Sequence, residues 1–155
     1  MKRRPDVEGI FLLRNAASGL VLETEGSRTG SGTRVRVGPE GPPAAAGAQR
    51  WRIVPVHPGA ATYHVVNVLS EKRLDVAGAS VESGARIQLW KPNGFGAQEW
   101  LVEEHLRHGA ATGVVSLIAC ISGLPLDVDP AGYARQWEET DAATQGWRLE
   151  PATAG

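Results

Sequence analysis

The sequence predicts an all-β fold of about twelve short strands, built from three repeats of about fifty residues. The tripeptide Gln-x-Trp recurs at near-equal spacing, ending at Trp51, Trp100 and Trp147. Short alternating segments are separated by turn residues at roughly ten-residue intervals, which is typical of β-barrels and sandwiches. No window has sustained helical periodicity. Because a repeat is one unit that was copied, its copies are expected to pack against one another in one domain.

Alignment of the repeats extends the match beyond this motif. Leu-Asp-Val at 74–76 matches Leu-Asp-Val at 126–128 with an offset of 52, and repeat one has Glu23 at the Asp position. Further along, Trp90 matches Trp137 with an offset of only 47, so repeat three lacks five residues between its Asp and its Trp. These matched apolar, acidic and aromatic positions indicate that the same four-strand unit occurs three times.

The repeats form one predicted domain, residues 8–151 of the 155. The segments between them are too short to separate domains, so the repeats share one core. Lys2, Arg3 and Arg4 are interpreted as a solvated terminus. The predicted boundaries are about 8–56, 60–104 and 112–151 for the repeats, with short terminal tails at 1–7 and 152–155.

Composition excludes several classes of protein. A formal net charge of −1 argues against a nucleic-acid partner, because neutralising phosphates requires a basic face. No run approaches the ~20 apolar residues of a spanning helix, so no membrane insertion is predicted. The charged N-terminus is followed by no apolar segment and does not resemble a signal peptide. With Cys120 the only cysteine, no intrachain disulfide can form. A cytoplasmic location is expected, and non-classical secretion is left open.

The tryptophans of the Gln-x-Trp motifs are expected to be structural. Residues two apart in a strand point to the same face, so Gln and Trp of each motif project together. Three large indoles related by threefold pseudosymmetry would fill a shared interior. The glutamines beside them can satisfy backbone groups at strand ends, or border a ligand.

Trp90 and Trp137 lie outside these motifs and suggest a different role. In the strand at 87–90, two aliphatic residues alternate with Gln88 and Trp90, so Trp90 is expected to face solvent. A flat exposed indole suits the C–H face of a pyranose ring; the alternative is an indole packed onto its own loop. Asp75 and Asp127 sit between apolar residues and must point away from the core. Their carboxylates could accept hydrogen bonds from two neighbouring hydroxyls, or could cap a turn.

Three all-β repeats that each close on Gln-x-Trp resemble the ricin-B-type lectins, a family of β-trefoil carbohydrate-binding domains. The resemblance covers nearly the whole chain and is densest in repeat two, at 73–76, 84–90 and 98–100. It implies a β-trefoil fold and the binding of terminal sugars on glycoproteins or glycolipids, with galactose or N-acetylgalactosamine favoured. A protein of this kind is a hemagglutinin when it binds multivalently. A single shallow site binds weakly, so avidity is expected from a second site or from a homodimer.

The resemblance also implies the site residues of repeat two. In the family the sugar stacks on the aromatic residue, and the Asp accepts hydrogen bonds from the sugar hydroxyls. Amide side chains from the loop before Gln-x-Trp complete the pocket. Ala97 departs from the family, where this position is often Asn, so Asn93 becomes the candidate amide. Gln88 matches the Gln of the family's Gln-Leu-Trp segment and is expected to brace Asp75 rather than to contact the sugar. The predicted residues are Asp75, Trp90, Asn93 and Gln98.

The other two repeats are expected to differ. Repeat three keeps Asp127, Trp137 and Gln145 as a second predicted site of altered shape, which Asp129 or Tyr133 could join. Repeat one has Glu23 and, at the Trp position, Gly38. Without an aromatic platform it is expected to bind no sugar.

Enzymatic, cofactor and metal chemistry are not predicted. Gly-x-Ser-x-Gly, phosphate-binding glycine loops and His-Glu-x-x-His are all missing from the sequence. Cys120 lies within the apolar run 114–121 and is interpreted as part of a core strand, while His105 and His108 are interpreted as solvated linker residues. The alternative function is a β-trefoil protein-interaction module such as a protease inhibitor. The Asp-plus-Trp pair favours sugar binding, because an inhibitor that acts through its loops has no need of it.

Overall fold

The computed structural model describes residues 2–153 and confirms the predicted all-β trefoil with four strands in each repeat. A short strand, β1 (Lys2–Arg3), precedes them. Repeat one contains β2 (Gly9–Asn15), β3 (Val21–Thr24), β4 (Val35–Gly38) and β5 (Trp51–Pro55). Repeat two contains β6 (Tyr63–Asn67), β7 (Arg73–Val76), β8 (Ile87–Trp90) and β9 (Trp100–Arg107). Repeat three contains β10 (Ala110–Ala119), β11 (Leu126–Val128), β12 (Ala134–Gln136) and β13 (Trp147–Pro151).

Helical structure is limited to short 3-10 segments. Two of them follow the second strand of a repeat, and three directly precede the Trp of a Gln-x-Trp motif. In order along the chain they are Glu25–Ser27, Pro43–Gln49, Ala77–Ala79, Gly96–Gln98 and Ala143–Gln145. Across residues 2–153, no helix has the length and apolar character needed to cross a membrane.

The first and fourth strands of the repeats close into a six-stranded ring. β2, β5, β6, β9, β10 and β13 each pair antiparallel with the next, and β13 pairs back to β2. The second and third strands form hairpins: β3–β4, β7–β8 and β11–β12. Single β-bridges join neighbouring hairpins, at Arg34–Gln88, Arg36–Tyr133 and Arg86–Arg135. The hairpins therefore meet one another around the pseudo-threefold axis.

The three motif tryptophans occupy the core, as the sequence predicts. Each is 0% exposed, and each indole N–H donates to the carbonyl of the Leu that precedes the acidic residue of its own repeat. The pairs are Trp51 to Leu22 at 3.0 Å, Trp100 to Leu74 at 3.0 Å and Trp147 to Leu126 at 3.1 Å. The indole thus fills the barrel and fixes the hairpin that carries the acidic residue.

Two predicted irregular segments are ordered strands. Lys2–Arg3 pairs with β9, and the Arg3 guanidinium lies 3.2 Å from the Glu104 carboxylate. Arg3 and Arg4 are exposed, so the terminus is solvated but also forms a short strand. The segment 103–111 is the end of the β9–β10 hairpin rather than a linker. His108 (φ 52°) and Gly109 (φ 79°) form its turn; positive φ at both central residues matches the twist of a two-residue hairpin.

Substitution of Trp100 tests the structural role of the motif indoles. Trp100→Ala removes a fully buried ring and the donor to the Leu74 carbonyl, so we expect the free energy of unfolding to fall by about 3–5 kcal/mol. Chemical denaturation followed by circular dichroism measures the change. Phe95→Ala is the control, because Phe95 is 70% exposed and its loss should change stability by less than about 0.5 kcal/mol. Equal midpoints for the two variants would contradict this account of the core.

Candidate functional site

A cleft of about 360 Å³ lies beside the β7–β8 hairpin of repeat two. Its size is at the lower end of the ~300–1,000 Å³ typical of small-molecule sites. Three of the four predicted residues of this repeat line it: Asp75, Trp90 and Asn93. Gln88 and Phe95 line it as well. Folding therefore brings the predicted carboxylate, indole and amide into one concave surface.

Asp75 is held in place by two glutamine amides. Gln88 Nε2 donates to Asp75 Oδ1 at 3.1 Å, and Gln98 Nε2 donates to Oδ2 at 3.1 Å. Burial raises the pKa of the Asp75 carboxyl above its ordinary value, and the two amide hydrogen bonds oppose that rise. Each carboxylate oxygen can accept more than one hydrogen bond. The carboxylate is therefore fixed in direction and keeps capacity for a ligand hydroxyl on each oxygen.

Gln98 is a positioning residue, and the prediction that it contacts sugar is corrected by its burial. It is fully buried, and its Nε2 donates to Asp75 and to the Lys91 carbonyl at 2.9 Å. Its Oε1 accepts from the Asn93 N–H at 3.1 Å and from Arg73 Nη1 at 3.3 Å. Both amide hydrogens and both oxygen lone pairs are used inside the protein. Gln98 orients the carboxylate and anchors the loop behind the cleft.

Trp90 is partly exposed at the end of β8. It lies beside a glycine turn of repeat one. A Cβ built on Gly32 would lie 3.9 Å from Trp90 Cζ3, and the Lys91 N–H donates to Ser31 Oγ at 3.0 Å. The neighbouring repeat thus supports the indole while part of the ring remains exposed in the cleft.

Asn93 and Phe95 complete the cleft from the loop before Gln-x-Trp. Asn93 Oδ1 accepts the Phe95 N–H at 3.0 Å, while Asn93 Nδ2 has no acceptor within residues 2–153 and is available to a ligand. Phe95 is a large apolar side chain in the cleft wall that sequence reasoning missed. The available signal was an aromatic residue between Gly94 and Gly96, in a loop where no strand pattern gives it a place in the core.

In repeat three, the predicted Asp and Trp are brought together but share a third partner. Asp127 is 2% exposed, and Arg135 Nε donates to its Oδ2 at 3.0 Å. Arg135 Cζ also lies 3.9 Å from the ring centroid of Trp137, a cation–π distance. The other carboxylate oxygen, Asp127 Oδ1, is buried and has no hydrogen-bond partner among the described residues.

Gln145 does not join Asp127. Its Nε2 donates to the Glu138 carbonyl at 2.8 Å, and its Oε1 accepts the Thr140 N–H at 2.9 Å. Like Gln98 it organises the loop before its Trp. Unlike Gln98 it makes no hydrogen bond to the carboxylate of its repeat, and its predicted sugar contact stays a prediction.

Asp129 and Tyr133 do not complete a pocket in repeat three either. Asp129 Oδ1 accepts the N–H groups of Ala131 and Tyr133, each at 2.9 Å, and closes the shortened turn. The Tyr133 hydroxyl donates to Glu25 of repeat one, and Arg34 Cζ lies 3.6 Å from the Tyr133 ring centroid. These side chains hold repeat three against repeat one.

Repeat one has no room for an aromatic platform. Glu23 Oε2 accepts from Arg36 Nε at 3.1 Å, and Glu23 Oε1 accepts from Gln49 Nε2 at 2.8 Å. A Cβ built on Gly38 would lie 2.6 Å from Glu23 Oε2. The larger acidic side chain therefore occupies the space where the other repeats have an indole, in accord with the expectation that repeat one binds no sugar.

Nucleophile and metal chemistry find little support in the described residues. Cys120 lies half-buried in the turn after β10 rather than in a core strand, and burial raises the pKa of its thiol. A thiol with a raised pKa is a poor nucleophile at neutral pH. Within residues 2–153, no three His, Cys, Asp or Glu side chains are grouped so that they could hold a metal ion.

The family model of ricin-type β-trefoil lectin domain-like proteins matches residues 3–90. The chain belongs to this family. The match covers repeat one and repeat two through Trp90, and the structure continues the same fold through repeat three. Family membership supports carbohydrate binding as the general function. No protein among those with curated descriptions matches the sequence.

Solved structures with the same fold include designed and natural proteins. A designed threefold-symmetric protein, ThreeFoil, is 28% identical, with a TM-score of 0.81 over 93% of this lectin-like chain and 99% of its own. An exo-β-1,3-galactanase from Clostridium thermocellum is 24% identical, with a TM-score of 0.80 over 97% of this chain and 31% of its own. A Polyporus squamosus lectin bound to an influenza-binding epitope is 20% identical, with a TM-score of 0.74 over 94% of this chain and 49% of its own.

The raised pKa of Asp75 predicts how stability depends on pH. A carboxyl whose pKa is higher in the folded than in the unfolded protein makes the protein less stable as pH rises through the interval between the two values. Relative to Asp75→Asn, the wild type should therefore lose unfolding free energy as pH rises from near 3.8 to the folded pKa, and the difference should then stay constant. Urea denaturation of both proteins across this range measures it. A wild type that gains stability relative to the variant as pH rises would contradict the raised pKa.

Proposed function

We propose that this domain is a non-catalytic lectin that binds a terminal hexose in the cleft of repeat two, with galactose or N-acetylgalactosamine favoured. The observation that carries the proposal is a braced carboxylate, Asp75, in the same cleft as two aromatic side chains, the partly exposed Trp90 and the exposed Phe95. Neighbours with the lectin fold also suggest a carbohydrate-binding protein without catalysis.

The carboxylate and the aromatic rings act on different faces of a sugar. Asp75 can accept hydrogen bonds from two adjacent hydroxyls, and charge-assisted bonds of this kind are stronger than neutral ones. Its direction is fixed before the ligand arrives, so little side-chain entropy is lost on binding. The apolar C–H face of the ring can then stack on Trp90, as amphipathic rings prefer to keep one face away from water.

Asn93 and Phe95 extend this recognition. The Nδ2 group of Asn93 can donate to a sugar oxygen, which replaces the amide that Ala97 lacks. Phe95, at 70% exposed, offers apolar surface at the rim for a second sugar unit or the aglycone. We assign repeat two as the principal site. Repeat three, with Asp127 and Trp137, is kept as a weaker second site.

Affinity for one sugar is expected to be low. A shallow site with few polar contacts is expected to bind a monosaccharide near ~1 mM, or about −4 kcal/mol. Useful avidity then requires several sites on one multivalent glycan, which a homodimer supplies. Glycans of glycoproteins or glycolipids are the partners of this chemistry.

A glycan array probed with the purified domain tests the proposal, with free galactose and N-acetylgalactosamine as competitors. Retention on galactose-terminated glycans and release by the free sugar support a lectin. Protease inhibition without glycan retention would support the protein-interaction alternative instead.

Substitution of Asp75 tests whether its carboxylate binds the sugar hydroxyls. Asp75→Asn keeps the size of the side chain, and the Gln88 amide can turn over to face the new N–H, so the fold is retained. Loss of the charge weakens both hydroxyl bonds, and glycan binding should fall about tenfold or more. Isothermal titration calorimetry measures this, with thermal unfolding as the check on folding. Unchanged affinity would remove Asp75 from the site.

Substitution of Trp90 or of Trp137, the two partly exposed tryptophans, tests which repeat holds the principal site. Trp90→Ala removes the stacking surface from repeat two and should lower glycan affinity about tenfold or more, because the apolar face of the sugar then loses the surface on which it is buried. Trp137→Ala removes the equivalent ring from repeat three and should leave the affinity of the principal site within about twofold. Surface plasmon resonance on an immobilised galactosylated protein compares them. The reverse order of losses would place the principal site in repeat three.

A further inference from the structure

The residue directly opposite the acidic side chain differs among the three hairpins. The paired positions across the hairpins are Glu23–Arg36, Asp75–Gln88 and Asp127–Arg135. These positions are equivalent in the three repeats, so side chains at the same place in the hairpin can be compared. Repeats one and three have arginine there, and repeat two has glutamine.

Each arginine binds the carboxylate of its own repeat. Arg36 Nε lies 3.1 Å from Glu23 Oε2, and Arg135 Nε lies 3.0 Å from Asp127 Oδ2. Asp127 is 2% exposed and Asp75 is 5% exposed, so the two acids are about equally buried and the arginine partner is what distinguishes repeat three. A sugar hydroxyl would have to compete with a charge-assisted bond in a poorly hydrated place, and breaking such a pair is strongly unfavourable.

Arg135 also contacts the indole of Trp137. Its guanidinium carbon lies 3.9 Å from the Trp137 ring centroid, so the cation covers a face on which a pyranose would stack. One side chain therefore contacts both groups that a sugar would need. In repeat two, Gln88 binds Asp75 through one amide N–H at 3.1 Å, and no cation within the described residues lies over Trp90.

We propose that the residue facing the carboxylate across each hairpin decides how readily a repeat accepts sugar: glutamine leaves the carboxylate and indole open, and arginine competes with the sugar for both of them. This selector role rests on the carbohydrate function proposed above. It makes Gln88 the specificity-determining residue of repeat two and Arg135 an internal occupant of the repeat-three site. The orphan oxygen Asp127 Oδ1 agrees with a carboxylate that is only partly satisfied by its arginine.

Gln88→Arg in the full chain tests the proposal, because repeats one and three already accommodate the same pair. Binding of a galactosylated protein should fall about tenfold or more. Gln88→Met is the comparison variant: it removes the amide brace without adding a cation, and the Gln98 brace remains, so its binding should fall by less than that of Gln88→Arg. Equal losses in both variants, or no loss in Gln88→Arg, would overturn the selector role.

A measurement that does not depend on sugar binding shows whether the new arginine contacts the Asp75 carboxylate or only damages the fold. In Gln88→Arg, the new cation should lower the pKa of Asp75 below its wild-type value, measured by carbon-13 NMR of the carboxyl. An unchanged Asp75 pKa in a folded variant would mean that the arginine does not engage the carboxylate, and would overturn the proposal.

Arg135→Gln provides the opposite test should Gln88→Arg not fold. The Trp137 indole resonance should shift when free galactose or N-acetylgalactosamine is added, with weaker affinity than repeat two because the shortened turn supplies less wall. A sugar that shifts Trp90 but never Trp137 in this variant would overturn the proposal. If the wild-type domain binds no glycan at all, the proposed function fails first; if it binds and these variants behave as wild type, only the selector role fails.

Discussion

The hydrogen bond from each buried indole to a leucine carbonyl is the constraint on which the rest of the molecule depends. Trp100 fills the barrel and at the same time fixes the backbone of Leu74, the residue before Asp75. Two positions earlier, Gln98 holds the Asp75 carboxylate itself. One tripeptide therefore joins the core to the candidate site, and the direction of the carboxylate is set by the same motif that packs the barrel.

The same hairpin occurs in all three repeats, and a few side-chain differences distinguish the three copies. Repeat one exchanges Asp for the longer Glu23, whose carboxylate lies against Gly38. Repeat three keeps the acid and the indole but has Arg135 in contact with both of them. Repeat two alone, within the described residues, combines the acid, a partly exposed indole and a neutral brace. The fold thus tolerates three different sets of side chains on one hairpin.

Much of this could be predicted from the sequence. The Gln-x-Trp spacing predicts the repeat and the buried indoles, because large apolar residues at a fixed long period are typical of copied units that share a core. The alternation at 87–90 predicts that Trp90 leaves the core. The role of Gln98 could not be predicted in the same way, because a glutamine beside a core Trp looks alike whether its amide turns inward or toward a ligand. The strands at Lys2–Arg3 and across 103–111 were missed because their pairing depends on distant segments, and Phe95 because a single aromatic in a glycine loop has no periodicity.

The central claim is that the indole of repeat two receives the sugar while the motif indoles only build the core. The chain has five tryptophans, and their indole N–H groups give separate signals in a nitrogen-15 correlation NMR spectrum. On titration with N-acetylgalactosamine or galactose, the account predicts that the Trp90 signal shifts while those of Trp51, Trp100 and Trp147 stay in place. A titration in which bound sugar leaves the Trp90 signal unmoved would contradict it.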